Sequence, residues 1–377
     1  MYCDPLWAKD LRLHLEYIED FGLCCPVVHS DDVQGLEDIS EYEIKQLFGL
    51  RKDYGLASVA GNLLPNLLQV MRACKGAHVV HSDGAGWAFP LSFYLRLLRP
   101  FFSFQWVIII ESSPWMVHKN EKMTPRKFVS QYVHKVVLSS CLKRADARIF
   151  TQTFYRMLFL ENDTSRTLIA PATWINTDNL VPPDIVKKRR WDRSGKTLRF
   201  IFPARLVEDK GVLVLFNAIE HLKNMGVTVD ITIMGSGDLR EDCRAFALRE
   251  FGNTKVIFRE PVDYGIEFFS VLCDFDVVLV PNLKEEQPRI VFDAFSQGLG
   301  VIASDTTGIL DITADGINAV ICKSGDSRSL AEAIRHVAKN PDLVLQMGLH
   351  GLNYANGKTH RQMHLDRQHF YARVLDI

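Results

Sequence analysis

Two doubly wound α/β domains are what this sequence predicts, and three observations predict them. The chain has 377 residues, enough for two domains at roughly 100–200 residues each. Strand-like apolar runs alternate with helical patterns along residues 198–340, as βαβ units on a parallel sheet require. Between the halves, VPPDIVKKRRWDRSGKT at 181–197 carries two prolines and six basic residues and reads as a linker. The expected layout is a Rossmann-like domain over 1–180, the linker, a second Rossmann-like domain over 198–355, and a terminal helix over 356–377 that packs back on the first domain.

In the second half, Leu198–Pro203, Val229–Met234, Lys255–Phe258, Phe275–Val280, Val301–Ser304 and Asn318–Cys322 read as strands. Apolar residues at helical spacing (Val212, Leu215, Phe216, Ile219, Leu222) predict a helix over Val212–Met225. Further helices are expected over Leu239–Phe251, Gly265–Cys273, Ile290–Gln297 (closed by Gly298) and Ser329–Lys339. The first half is less regular. Ala77–His81, Gln105–Ile110, Ala147–Thr151 and Leu168–Pro171 read as strands, with helices over Ala88–Leu98 and Phe128–Arg144. The chain enters through a helix, Ala8–Tyr17, and its first clear strand is Leu23–Val28.

Composition is globular: 47% hydrophobic, 24% charged and a net charge of −1, which argues against a chain that is basic or acidic throughout. The eight cysteines form no C-x-x-C pair, against a zinc or redox motif. The longest apolar run, Phe101–Ile110, falls short of the roughly 18 residues a membrane span needs and reads as a buried strand. With no signal-peptide pattern, a cytoplasmic location is expected.

Three loops of the second half carry chemistry. After the first strand come Arg205 and Lys210, two cations five residues apart, followed by Gly211. A planar guanidinium and a point-charge ammonium suit a diphosphate. After the next strand, Gly235 and Gly237 allow close backbone approach. After Val280, the loop carries Glu285, and a helix begins near Pro288 and Arg289 with Asp293 one turn in. Amides at a helix start attract phosphate, and the acids can hold hydroxyls. Each piece alone is an ordinary loop.

Together, in this order, they resemble the donor-binding domain of glycosyltransferase family 4, retaining enzymes of the GT-B fold, over residues 198–340. The match runs through R-x4-K-G at Arg205–Gly211, the glycine pair, two acids separated by seven residues, and Asp293-Ala294 through Val301-Ile302-Ala303. The resemblance implies two facing Rossmann-like domains with a cleft between them. It implies that Arg205 and Lys210 stabilise the departing diphosphate, that Glu285 contacts the donor sugar, and that amides of Gln287, Pro288, Arg289, Ile290 and Val291 hold phosphate and sugar. It also implies that Asp293 binds ribose hydroxyls and that Gly235 and Gly237 line the nucleotide pocket. Departures exist: Asp293 stands where the family has Glu, and Glu286-Gln287-Pro288 replaces a G-F-G. In the first domain, Glu111 falls where many members carry a histidine, and His81 follows a strand. Glu111 either plays that histidine's part or is not its counterpart, and His81 is either catalytic or a buried, hydrogen-bonded histidine. The family's first strand and glycine-rich acceptor loop have no evident counterpart.

The resemblance therefore implies a metal-independent, hexosyltransferase-type enzyme without cofactor. It would move a sugar from a UDP- or GDP-sugar to a glycan or lipid-linked hydroxyl in polysaccharide, glycolipid or cell-envelope synthesis. Two rivals stand beside it: a non-catalytic nucleotide-sugar-binding or scaffold subunit, and a GT-B sugar-nucleotide epimerase. Charge in the first domain is uneven. Residues 1–86 hold seven Lys/Arg against thirteen Asp/Glu, and residues 87–160 hold eleven against three. Phe101, Phe102, Trp115, Phe128 and Tyr132 are interleaved with that basic stretch, so an anionic membrane surface, at the inner face, is a second expected partner. No nucleic-acid module accompanies the charge.

Overall fold

The computed structural model describes residues 1–84, 89–113, 115–116 and 123–375. Residues 85–88, Pro114, Lys119 and Lys122, which the sequence reading touches, lie outside that set. The chain divides into two compact units. One comprises Met1–Val117, Met123–Pro171 and Arg361–Ile377, the other Ala172–His360.

In the first unit, β1 (Gly22–Pro26) and β2 (Gln46–Leu50) form a parallel pair of their own. Helix α1 (Leu56–Cys74) follows. Then β3 (Val79–Asp83), β4 (Gln105–Ile110), β5 (Ala147–Phe150) and β6 (Thr167–Ile169) make a four-stranded parallel sheet in that order. The β4 sequence, QWVIII, is apolar without alternation because both its faces are covered. Trp106, Ile108 and Ile110 pack with Leu95, Leu98 and the inner side of α2 (Pro125–Leu142). Val107 and Ile109 pack instead with Met363, Phe370 and Tyr371 of the terminal helix, His360–Val374. That helix is thus one of the two layers on this sheet. No helix among the described residues is long and apolar enough to cross a membrane.

The first α-helix of the second unit is α3 (Pro183–Asp192), which corrects the expected linker at 181–197. Pro183 sits in the first turn, Asp184 favours the helix N-terminus and Arg189 and Arg190 the C-terminus, as the helix dipole prefers. Its basic character also has an internal use. Arg193, just beyond the helix, reaches within 3.0 Å of Asp276, which is only 5% exposed and also accepts from the Arg199 amide at 2.8 Å. A run of cations that pairs with a buried acid looks like a solvated tether in sequence.

The sheet of this unit contains β7 (Arg199–Pro203), β8 (Asp230–Met234), β9 (Lys255–Arg259), β10 (Val277–Val280), β11 (Gly300–Ser304) and β12 (Val320–Cys322). All neighbours are parallel, in the order β9-β8-β7-β10-β11-β12. Phe200 and Phe202 face α4 (Val212–Asn224), while Ile201 faces the side of α5 (Ile290–Ser296). Helix α4 forms because Val212, Leu215, Ile219 and Leu222 recur on one buried stripe, and His221 and Lys223 complement its last turn. Helices α6 (Ser327–Lys339) and α7 (Pro341–Asn356) follow the last strand. The order of strands reverses between β7 and β10. In an open parallel sheet that reversal leaves a crevice beyond the strand ends, where ligands bind.

Candidate functional site: the loops at the strand reversal

The loop after β7 runs from Ala204 to Gly211, closing in a short turn, Glu208–Lys210. Gly211 has φ 81°, and a Cβ there would stand 2.0 Å from the Pro281 carbonyl oxygen. Only glycine lets the β7 loop touch the β10 loop this closely. Gly235, in the β8 loop, repeats the device toward the β7 loop: a Cβ would lie 1.9 Å from the Ala204 oxygen, and one on Gly237 2.6 Å from the Leu206 oxygen. Hydrogen bonds from Ala204 to Met234 (3.1 Å) and from Leu206 to Ser236 (2.7 Å) fix the contact. Three loops are therefore held backbone to backbone at the crevice.

Lys210 is brought there by this clamp. Its Nζ lies 3.0 Å from Glu286 Oε2, and the pair is mostly buried, at 15% and 27% side-chain exposure. Beside it, Asp209 pairs with Lys284 at 3.1 Å, and the Leu283 amide donates to the Asp209 carbonyl at 2.9 Å. Arg205 stands exposed at the mouth of the same loop. The two predicted cations are thus on one loop at the reversal point, but one of them is already engaged by an acid.

Glu285 points elsewhere. Its Oε2 accepts from the Thr307 amide (2.6 Å) and hydroxyl (2.8 Å), so it caps the short helix Thr307–Leu310. Asp293, on α5, is only 4% exposed and accepts from Tyr264 Oη at 2.8 Å. Burial first, and then the neighbouring carboxylate, hold the Tyr264 phenol protonated well above its ordinary range. Gln287 Oε1 accepts from the Ala172 amide at 3.1 Å, and the Arg289 guanidinium lies over the Trp174 ring at 5.0 Å. Pro288 has no N–H to offer. Ile290 and Val291 open α5, whose Val291 and Phe292 side chains are fully buried.

The first-unit candidates share a different place. His81 on β3 and Glu111 just past β4 both line a cavity of about 1440 Å³ within that unit. Tyr371 Oη lies 3.1 Å from His81 Nε2, and Arg367 lies 3.9 Å from Glu111. His81 opens on the cavity, yet protein surrounds it closely. That desolvation, then the charges of His14 and Arg367, push its pKa down, so the imidazole is neutral. Around it stands a polar cluster that sequence reasoning missed. Asp10 accepts from His364 at 3.0 Å and lies 3.3 Å from His14, and Tyr17 Oη is 3.2 Å from His364. Burial pushes the His364 pKa down to about 4 despite Asp10. No local pattern could reveal contacts between residues more than 340 positions apart.

Comparison with known proteins places this geometry in context. Residues 197–340 match the family model described as Glycosyl transferases group 1. Over 178 residues the chain is 27% identical to the amylovoran biosynthesis glycosyltransferase AmsK of Erwinia amylovora, covering 45% of this chain and 43% of that protein. The chain spans about half the length of the curated relatives it matches. In structure it resembles sucrose-phosphate synthase from Thermosynechococcus elongatus, with a TM-score of 0.67, 16% identity and coverage of 94% and 98% of the two chains. It also resembles Anabaena HepE, a structure in complex with UDP, with a TM-score of 0.65, 14% identity and coverage of 87% and 86%. The fold is of GT-B type, with two Rossmann-like α/β domains.

Proposed function

We propose that this chain is a retaining glycosyltransferase that binds a nucleotide sugar at the strand reversal of its second unit and transfers the sugar to an acceptor hydroxyl. The observation that carries the reading is the glycine-clamped meeting of the β7, β8 and β10 loops, which presents Lys210 and Arg205 at the crevice. The family model matched over these loops supports it, and so does the UDP complex of HepE.

On this reading the C1–O bond to the diphosphate breaks with its electron pair leaving on phosphate. Lys210 and Arg205 offset the developing charge without a metal. The acceptor oxygen bonds C1, and its proton passes to the leaving phosphate oxygen. Lys210 must first exchange Glu286 for the diphosphate. Glu285, through its cap on Thr307, positions the sugar-side loop, and Asp293, held by Tyr264, takes the ribose. Gln287 through Val291 border the phosphates, and Gly235 and Gly237 floor the nucleotide pocket. His81 and Glu111, which line one cavity of the first unit, are the acceptor-side candidates. The donor is a UDP- or GDP-sugar. The acceptor is a glycan or lipid-linked intermediate of polysaccharide synthesis, a role supported by the amylovoran and capsular polysaccharide biosynthesis relatives.

Glu286 also favours a second reading, a non-catalytic nucleotide-sugar-binding subunit, because a Lys210 held by an acid at 3.0 Å does not offset charge on a departing diphosphate. Turnover decides between them. The protein is incubated with a panel of UDP- and GDP-sugars and a membrane lipid extract, with release of nucleoside diphosphate followed. The product's anomeric coupling is read by nuclear magnetic resonance. Release with retained configuration is expected. Binding without release in any combination selects the second reading, and inverted configuration removes the retaining assignment.

A further inference from the structure

Helix α2 is built the wrong way round for a helix whose outer side meets only water. Its inner side buries Leu138, Cys141 and Leu142. Its outer side carries Phe128, Tyr132 and Val136 in one row, with Val129 and Val133 in the next. These five are between 47% and 64% exposed. At 100° per residue the two rows fuse into one apolar stripe about 12 Å long. Scattered exposed apolar residues are ordinary, but a contiguous stripe marks a contact surface.

The charge around the stripe says what kind of contact. Between Met123 and Ala145 there is no Asp or Glu, while Arg126, Lys127, Lys135, Lys143 and Arg144 are all present. Lys135 borders one side of the stripe, and Arg126 and Arg144 the other. At its C-terminal end lies a shallow notch of about 690 Å³, lined by Tyr132, Lys135, Ser139, Ser140, Lys143 and Arg144. Three cations and two hydroxyls beside apolar side chains suit a phosphate headgroup whose acyl chains lie along the stripe. Of the interleaved aromatics, Trp115 stacks on His134 with ring centroids 6.0 Å apart and Phe102 is half-buried. Phe128 and Tyr132 are the outward ones on this helix.

We infer that the outer face of α2 docks on an anionic bilayer, with the apolar stripe entering the headgroup region and Lys135, Lys143 and Arg144 engaging lipid phosphates. A copy of the same face is a poor partner, since it would bring five cations against five. The inference does not rest on donor chemistry, so its failure leaves the transferase reading untouched.

The test is flotation of the full chain with vesicles of phosphatidylcholine alone or mixed equally with phosphatidylglycerol. Binding to the anionic vesicles is expected to exceed binding to the neutral ones by at least roughly tenfold and to fall with salt. Lys135→Glu with Lys143→Glu, both exposed, is expected to remove that preference. Val129→Ser with Val133→Ser is expected to weaken anionic binding about tenfold while leaving the circular dichroism unchanged. If the serine variant misfolds, the charge-reversal pair still decides. Equal binding to both vesicles, or none, overturns the inference. So does a concentration-dependent dimer that the same variants break, or an equally tight complex with a single-stranded oligonucleotide.

Discussion

Lys210→Ala is expected to lower kcat/KM for the nucleotide-sugar donor by about 10²–10³-fold, the usual loss when one preorganised charge partner of a leaving group is removed. The fold should be retained, because the Asp209–Lys284 ion pair between the same loops and the backbone bond from Leu283 to Asp209 remain. Removing the acid should act in the opposite sense. Glu286→Gln frees Lys210 from its present partner, and nucleoside diphosphate binding is expected to tighten several-fold. That gain corresponds to about 1 kcal/mol, as suits a pair still in contact with solvent. Steady-state kinetics on the two variants checks both signs. Parallel losses in the two would mean that Glu286 assists binding rather than competing with it.

Gly211→Ala is expected to destabilise the second unit by about 3 kcal/mol, near the upper end for single substitutions. The left-handed φ of 81° contributes part, and a Cβ placed 2.0 Å from the Pro281 carbonyl forces the two loops apart. At about 2–4 °C per kcal/mol for a unit of this size, the melting temperature should fall by about 6–12 °C. Gly252→Ala separates the two contributions. Gly252 also has positive φ, at 61°, but its nearest contact would be 3.8 Å away, on the flexible Lys223 side chain. It should cost only about 1 kcal/mol and leave nucleotide binding intact. Calorimetric scans of both variants make the comparison. An equal effect at the two positions would show that backbone strain, and not the loop clamp, sets the loss.

Much of the second unit was legible because its strands are short apolar runs punctuated by Pro203, Gly235 and Pro281. Each helix begins where the 3.6-residue period takes over. Helix α7 escaped that reading. Gly348 and Gly351 look like breakers in sequence, yet Gly348 is there because a Cβ would meet the Gly298 carbonyl at 2.2 Å. Helix α1 escaped for a similar reason, with Pro65 inside it. The basic stretch at 181–197 was misleading because its partner, Asp276, lies some 80 residues onward. Among the site residues, the order of Arg205, Lys210, the glycines, Glu285 and Asp293 was visible. What each side chain touches was not: Glu286 on Lys210, Thr307 on Glu285 and Tyr264 on Asp293 are tertiary facts. The cluster of Asp10, His14, His81 and His364 was invisible for the same reason, since both ends of the chain contribute to it.

On the proposed function, the loops at the strand reversal of the second unit form a nucleotide-diphosphate site. Its most direct test is calorimetric titration of the full chain with UDP, GDP and ADP, repeated on Lys210→Ala and Gly252→Ala. One of the nucleotides is expected to bind with unit stoichiometry, to be lost with Lys210→Ala and to be retained with Gly252→Ala. Absence of binding by all three, or binding indifferent to Lys210, would contradict the account.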